Sequence, residues 1–75
     1  MKGGMKMLEF KDFDRKFILD NFNDANEIIS SKDVNFVLGK LDGLIMQKGF
    51  IHYEKNYNDF GLIALRVFDS IYYNN

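Results

Sequence analysis

The sequence contains no cysteine, no proline and no tryptophan, and it has one histidine, His52. Without cysteine, the chain can form neither a disulfide framework nor a reactive thiolate. A structural zinc site usually requires three or four convergent Cys or His ligands, whereas His52 has only Glu54 and Asp59 near it in the sequence. We therefore expect neither a metal ion nor any other cofactor.

Long apolar runs are absent as well. The longest, residues 62–65, is far shorter than the roughly 20 residues that cross a bilayer as a helix. Residues 1–10 carry Lys2 and Lys6 but lack the apolar stretch that follows the basic residues of a secretory signal. These observations predict a protein without membrane contact that works in the cytoplasm.

An excess of charge of either sign is also missing, because ten basic residues face eleven acidic ones for a net charge of −1. Proteins that bind nucleic acid electrostatically usually have a basic face, so the composition disfavours this class. Lysine outnumbers arginine by eight to two, which indicates an AT-rich genome. In size and composition the chain resembles small accessory proteins from phages or mobile elements of low-GC bacteria. This resemblance rests on no motif and assigns no residue a role.

The first residues leave the start of translation open. Residues 2–4 can be encoded by a sequence that reads like a ribosome-binding site, and Met5 and Met7 follow closely. A start at either methionine is therefore as plausible as a start at the first residue. We expect residues 1–7 to be a disordered extension and residues 8–75 to form a single helical domain.

Apolar residues recur every three or four positions in three segments, which predicts three main helices. These helices cover about Phe10–Phe22, Asp33–Lys48 and Asp59–Tyr72, while residues 50–57 are irregular or form a short strand. A chain of this length buries only about 60% of its unfolded surface, and a 16% aromatic content helps to compensate for this. The expected fold is an all-α bundle of three to four helices with the second main helix at its centre.

Capping residues and glycines in the sequence indicate where these helices begin and end. Asp24 and Glu27 could form a capping box that begins a short fourth helix, although one bent helix over residues 10–30 is nearly as plausible. Gly49 follows the second main helix where a left-handed residue commonly ends a helix. Asn58, or the residue after it, can cap the start of the last helix.

The apolar faces of these helices define the expected core. Asp14 lies among the charged residues that fill the opposite, polar side of the first helix. The predicted core consists of Phe13, Phe17, Ile18, Phe22, Ile28, Val34, Val37, Leu38, Leu41, Leu44, Ile45, Phe60, Ile63, Ala64, Val67, Phe68 and Ile71.

Two glycines interrupt the second main helix on the side opposite its apolar face. Gly39 and Gly43 lie one turn apart with Phe36 and Met46 on the same side, and each glycine costs about 1 kcal/mol relative to alanine in a helix interior. Such a stripe indicates the close approach of another backbone. The approaching backbone belongs either to another helix of the same bundle or to a partner, and in the second case these four residues form a partner or dimer interface.

Tyrosine and arginine are the second candidate interface group, because both residue types are enriched at protein interfaces. Tyr53, Tyr57, Tyr72 and Tyr73 make up the tyrosines, and Arg66 occupies the exposed side of the last helix. The alternative is that these rings, with the nearby histidine, cover the open end of a small core. Both interpretations stay open at the level of sequence.

Catalytic motifs are not recognisable. The triplet at residues 59–61 matches the metal-binding triplet of kinases, but the glycine loop, the lysine strand and the catalytic loop are missing. The Asn/Asp cluster at residues 20–26 lacks both the spacing and the glycine of a calcium loop. No phosphate loop, dinucleotide fingerprint or nucleophile elbow is present. We predict that the protein is not an enzyme.

A winged helix-turn-helix DNA-binding domain of the α+β class is the alternative fold. Residues 23–30 would be the positioning helix, residues 33–48 the recognition helix and residues 50–67 the wing. The exposed positions of the recognition helix mix both charge signs, which suits phosphate contacts poorly. These positions are Asn35, Lys40, Asp42 and Gln47.

The sequence therefore predicts a non-enzymatic protein–protein interaction module, namely a small adaptor or inhibitor that acts by occlusion. Its partner would be a host or defence protein, or a second copy of the chain in a homodimer, whereas nucleic acid is the less favoured alternative. The predicted interface residues are Phe36, Gly39, Gly43, Met46, Tyr53, Tyr57, Arg66, Tyr72 and Tyr73.

Overall fold

The computed structural model describes residues 8–75, and the expectations for residues 1–7 lie outside this range. The chain is mostly helical and carries a small two-stranded sheet, which is compatible with a small helical fold or an α+β fold. The elements follow one another as α1 (Asp12–Asn21), α2 (Ala25–Ile29), α3 (Val34–Leu44), a π-helical turn (Ile45–Gly49), β1 (Phe50–Ile51), β2 (Asn56–Tyr57) and α4 (Asp59–Asn74).

The two strands form a short antiparallel hairpin between the π-helical turn and α4. Phe50 lies opposite Tyr57, and Ile51 lies opposite Asn56. Each strand has only two residues, so the weak alternation of apolar residues over positions 50–57 corresponds to a small hairpin rather than to an irregular loop.

The region between the first and second main helices forms a separate helix rather than the end of one bent helix. α1 ends at Asn21, and α2 begins at Ala25. The predicted capping box of Asp24 and Glu27 is wrong, because the Asp24 side chain makes no hydrogen bond to the start of α2. Its carboxylate instead contacts the Lys40 ammonium of α3 at 2.7 Å.

The predicted second main helix changes from α-helix to π-helix at Ile45, and the π-helical turn includes Gly49, one residue beyond the predicted end. The left-handed conformation predicted for Gly49 is wrong, since none of the described glycines has a positive φ. Glycine is required there for a different reason: the π-helical turn packs directly on the start of α4. A Cβ atom on Gly49 would lie 2.5 Å from the Cα atom of Gly61.

Asn58 forms hydrogen bonds to both the π-helical turn and the start of α4. Its backbone N–H donates to the Gly49 carbonyl at 2.9 Å, and its side-chain amide donates to the Lys48 carbonyl at 2.7 Å. Its side-chain oxygen accepts from the Gly61 N–H at 2.8 Å, which confirms Asn58 as the cap of α4. One side chain thus satisfies backbone groups at the end of one helix and at the start of the next.

The core lies where α1, α3 and the π-helical turn pack against α4. The predicted second main helix, which the structure divides into α3 and the π-helical turn, contacts α2, β1 and α4, while α4 also contacts α1 and β2. Two residues of the predicted core, Phe13 and Ile63, are exposed, because each lies at the edge of its helix's apolar stripe. Another four, Phe22, Val34, Phe60 and Phe68, are half-buried. The buried apolar residues are Phe17, Ile18, Ala25, Ile28, Val37, Leu38, Leu41, Leu44, Ile45, Ala64, Val67 and Ile71.

Asp14 is buried with 2% of its surface exposed, so its predicted place on the polar side of α1 is wrong. One carboxylate oxygen accepts hydrogen bonds from the Ser70 hydroxyl at 2.7 Å and from the Lys11 N–H at 3.3 Å. A buried charged group is tolerated when hydrogen bonds replace its hydration. The carboxylate therefore accepts one hydrogen bond at the start of α1 and one from α4, which links the two helices.

The two ends of the described chain are joined by hydrogen bonds. The side-chain oxygen of Asn75 accepts from the Glu9 N–H at 2.8 Å, and the side-chain amide of Asn75 donates to the Glu9 carbonyl at 3.0 Å. The same amide donates to the Ile71 carbonyl. These contacts hold the segment that precedes α1 against the end of α4.

Candidate interaction surface

The glycine pair of α3 lies at an open groove. Apart from its neighbours in the same helix, a Cβ atom on Gly39 or Gly43 would meet nothing in the described chain within 4 Å. The interpretation that another helix of the same domain packs on this stripe is therefore wrong. The groove has a volume of about 400 Å³, and its lining residues come from α3, the π-helical turn and the segment of residues 21–24.

The two apolar residues predicted beside the glycines differ in their exposure. Phe36 is half-buried against the core, and the Lys40 ammonium lies 5.6 Å from the centre of its ring. Met46 is exposed on the π-helical turn. The structure therefore gathers the glycines in one groove, but it does not extend this groove into an apolar surface.

An ion pair spans one side of this groove. The hydrogen bond from Lys40 holds the pKa of the Asp24 carboxyl below its usual range, and the same contact raises the pKa of the Lys40 ammonium. Because Lys40 is already paired with Asp24, it is poorly available for a phosphate. α4 also begins at Asp59, so the prediction that a wing continues to residue 67 is wrong.

The hairpin carries a small aromatic cluster beside the π-helical turn. The Phe50 ring has the His52 ring on one side, with centroids 5.1 Å apart, and the Tyr57 ring at 5.3 Å. The His52 ring nitrogen Nε2 lies 3.3 Å from the Met46 carbonyl. Tyr53 extends into solvent at the tip of the hairpin. Of the predicted interface residues, Tyr57 contributes its ring to this cluster, and Met46 contributes its backbone carbonyl.

α4 presents the largest group of exposed apolar side chains. Leu62, Arg66, Asp69 and Tyr73 follow at spacings of four, three and four residues, which places them on one side of the helix, and all four are exposed. Ile63 and Tyr72 lie on the two flanks of this row; the Tyr72 ring meets the Tyr73 ring edge-on at 5.1 Å. The four large apolar side chains of this set are 42–80% exposed. We call these six residues the outer face of α4.

The predicted tyrosine group is divided between two places. Tyr53 and Tyr57 belong to the hairpin at the start of α4, whereas Tyr72 and Tyr73 lie at its end, about 20 Å away along the helix. All four tyrosines are exposed, so the interpretation that they cover an open end of the core is wrong.

The interface predicted from the sequence lacks three members of the outer face. It omits Leu62 and Asp69, and it places Ile63 in the core although Ile63 is exposed. Residues 62–65 are consecutively apolar, so local pattern alone does not show which of them face inward. The spacing of Leu62 and Tyr73 on either side of Arg66 could have identified the row.

Ionisable groups do not cluster as in a metal site within residues 8–75, where no three His, Asp or Glu side chains are placed to hold an ion. The helices of the same residues include none that is long and apolar enough to span a membrane. The buried carboxylate of Asp14 is occupied by its two hydrogen-bond donors and does not line the groove.

Comparison with known proteins gives no match: no family model, no curated protein and no solved structure is similar to the chain.

Proposed function

We propose that this protein is a non-enzymatic protein–protein interaction module, a small adaptor or inhibitor that acts by occlusion. The outer face of α4 is the observation that carries the proposal. Four large apolar side chains of one helix are exposed there, beside an arginine. Single exposed apolar residues are ordinary, whereas two exposed apolar pairs on one helix, one on each side of Arg66 and Asp69, have the mixed apolar and charged composition of an interaction site.

The composition of this face suits protein recognition. Tyrosine and arginine are the residue types most often responsible for binding energy at interfaces, and Tyr72, Tyr73 and Arg66 supply both. Leu62 and Ile63 add aliphatic area at the other end of the row. A partner that covers the row would remove these side chains from water, at about 25 cal/mol for each Å² of apolar surface buried.

Occlusion is the mode of action that this surface supports. The outer face is a convex helix surface, and binding through it would cover a partner's surface rather than alter it chemically. In this proposal the domain is a small helical bundle with an added hairpin, and it acts in the cytoplasm. The partner in this proposal is either a host or defence protein or a second copy of the chain.

The test compares two leucine substitutions of equal exposure. Leu62 is 52% exposed on the outer face of α4, and Leu19 is 51% exposed on α1. Tagged wild-type protein, Leu62→Ser and Leu19→Ser would each be used to capture partners from a low-GC bacterial lysate, with and without nuclease. We expect a stoichiometric protein partner that survives nuclease, is retained by Leu19→Ser and is lost with Leu62→Ser.

Two results would contradict the proposal. Equal capture by both leucine variants would show that the outer face of α4 does not bind the partner. Recovery of DNA, or of proteins that disappear after nuclease treatment, would favour the winged-helix alternative, whose binding should also weaken steeply as salt is raised.

A further inference from the structure

The order of side chains along the outer face of α4 is self-complementary. Reading from the start of the helix, the row is apolar at Leu62, positive at Arg66, negative at Asp69 and apolar at Tyr73. Reversed, the same row is apolar, negative, positive and apolar. The spacing of four, three and four residues is that of the contact positions in a coiled coil.

The two charged residues at the centre of this row are unpaired within the described chain. Arg66 and Asp69 are three residues apart, a spacing at which helix side chains can meet. Neither of them takes part in the ion pairs or side-chain hydrogen bonds formed by residues 8–75. Both are exposed, and exposed apolar side chains lie on either side of them.

We propose that a second copy of this chain docks on the outer face of α4, with the two α4 helices antiparallel. The two-fold axis passes midway between Arg66 and Asp69. This inference rests on the proposed function, because it uses the same surface and names its occupant.

The antiparallel arrangement pairs every position of the row with a complementary one. Arg66 meets the partner's Asp69, and Leu62 meets the partner's Tyr73. Two-fold symmetry repeats both contacts, as in any isologous interface. A parallel arrangement would instead place Arg66 against the partner's Arg66, and like charges facing one another disfavour association.

The flanks of the row extend the same contact. Ile63 and Tyr72 lie on opposite sides of the central row, next to its first and last members. Both are exposed and would become covered as the two helices approach. No residue of α4 lines the groove at Gly39 and Gly43, so the groove stays open on both copies.

The test uses two charge-reversal variants. Each should disfavour dimerisation with a second copy of itself, whereas a mixture of the two should favour dimerisation. In Arg66→Asp, both central positions are acidic; in Asp69→Arg, both are basic. Each variant repels a second copy of itself at two places, but the two variants attract each other at both. Neither variant can form an Arg–Asp pair within its own helix, so recovery in the mixture reports contact between chains.

Sedimentation velocity and native mass spectrometry on the full chain give the readout. We expect wild-type protein to form a dimer, and each variant alone to raise the dissociation constant by roughly tenfold or more. An equimolar mixture should recover dimers that contain one chain of each variant. Arg15→Asp and Asp42→Arg are the controls, because they make the same charge changes at exposed positions outside α4.

The outcomes separate this inference from the proposed function. A wild-type chain that stays monomeric at concentrations on the order of 1 mM overturns the second copy as the occupant. The same holds for dimers that neither reversal weakens, or that the control reversals weaken equally. In those cases the selective loss of a different captured protein with Leu62→Ser would still support the proposed function.

Discussion

Gly49 and Gly61 bring the backbones of the π-helical turn and α4 into direct contact. A Cβ atom on Gly49 would lie 2.5 Å from the Cα atom of Gly61, and a Cβ atom on Gly61 would overlap the Gly49 carbonyl oxygen. Both residues are buried. This contact fixes the start of α4, and hence the direction in which its outer face is presented.

Gly61→Ala should destabilise the protein by about 2–4 kcal/mol, since the added methyl group has to displace backbone rather than a flexible side chain. The higher helix propensity of alanine offsets only about 1 kcal/mol of this cost. Urea denaturation followed by circular dichroism measures the difference. A variant as stable as the wild type would show that the two helices do not meet as closely as described.

Gly39→Ala and Gly43→Ala should have the opposite effect, stabilising the protein by roughly 0.5–1 kcal/mol each. Gly39 lies inside α3, and Gly43 lies near its end where the π-helical turn continues the helix. Both are open to solvent, so alanine gains helix propensity without a clash. The same denaturation experiment tests this, and Gly61→Ala provides the contrast. Destabilisation by either substitution would mean that something packs on this stripe after all.

Ser70→Ala should lower the free energy of unfolding by about 1–3 kcal/mol, because it removes a hydrogen bond to the buried Asp14 carboxylate. Ser30→Ala is the matched control. The Ser30 hydroxyl also makes a hydrogen bond, at 2.7 Å to the Asn26 carbonyl, but on an exposed surface. Comparable losses for both serines would contradict a special role for the buried contact.

The ion pair between Asp24 and Lys40 should give a pH-dependent contribution to stability. Because the pKa of Asp24 is lowered in the folded state, its contribution is present above the ordinary carboxyl value of 3.8 and is lost as the pH falls through the lower folded value. The pKa of Lys40 is raised, so its contribution is present below the ordinary value of 10.5 and is lost as the pH rises through the higher folded value.

Asp24→Asn tests this expectation. Wild-type protein should be the more stable of the two at neutral pH, by a small amount because the pair is partly exposed. The difference should shrink as the solution is acidified past the carboxyl pKa. A difference that is independent of pH would show that the Asp24 carboxylate does not interact with Lys40 in solution.

The helices and most of the core were predictable from the sequence because they depend on local periodicity. Leu41 and Leu44 recur with the helical period in α3, and both are buried. Gly49 shows where such reasoning ends. The sequence places a glycine near the end of a helix, which predicts a left-handed residue. The structure requires glycine at this position because Gly61, twelve residues further along the chain, packs against it. Local sequence periodicity does not show that residues 49 and 61 are in contact.

Asp14 and Ile63 are two further residues whose burial local periodicity predicts wrongly, one charged and one apolar. A charged residue on a helix is normally expected in solvent. The burial of Asp14 is tolerable because its carboxylate accepts from the Lys11 N–H and from the Ser70 hydroxyl, and Ser70 lies 56 residues away in the sequence. Ile63 is apolar and fits the period of α4, yet it is exposed. The outer face of α4 was therefore only partly predictable, through Arg66 and the two tyrosines at its end.

The most direct test of the proposed surface is a comparison of two tyrosines with nearly equal exposure. Tyr73 is 80% exposed on the outer face of α4, and Tyr53 is 88% exposed at the tip of the hairpin. The measurement is the affinity of each alanine variant for the partner captured by the wild type, determined by isothermal titration calorimetry. We predict that Tyr73→Ala weakens binding by about tenfold or more, whereas Tyr53→Ala leaves it unchanged. Wild-type affinity in Tyr73→Ala, with a loss in Tyr53→Ala, would place the binding surface on the hairpin and contradict the account.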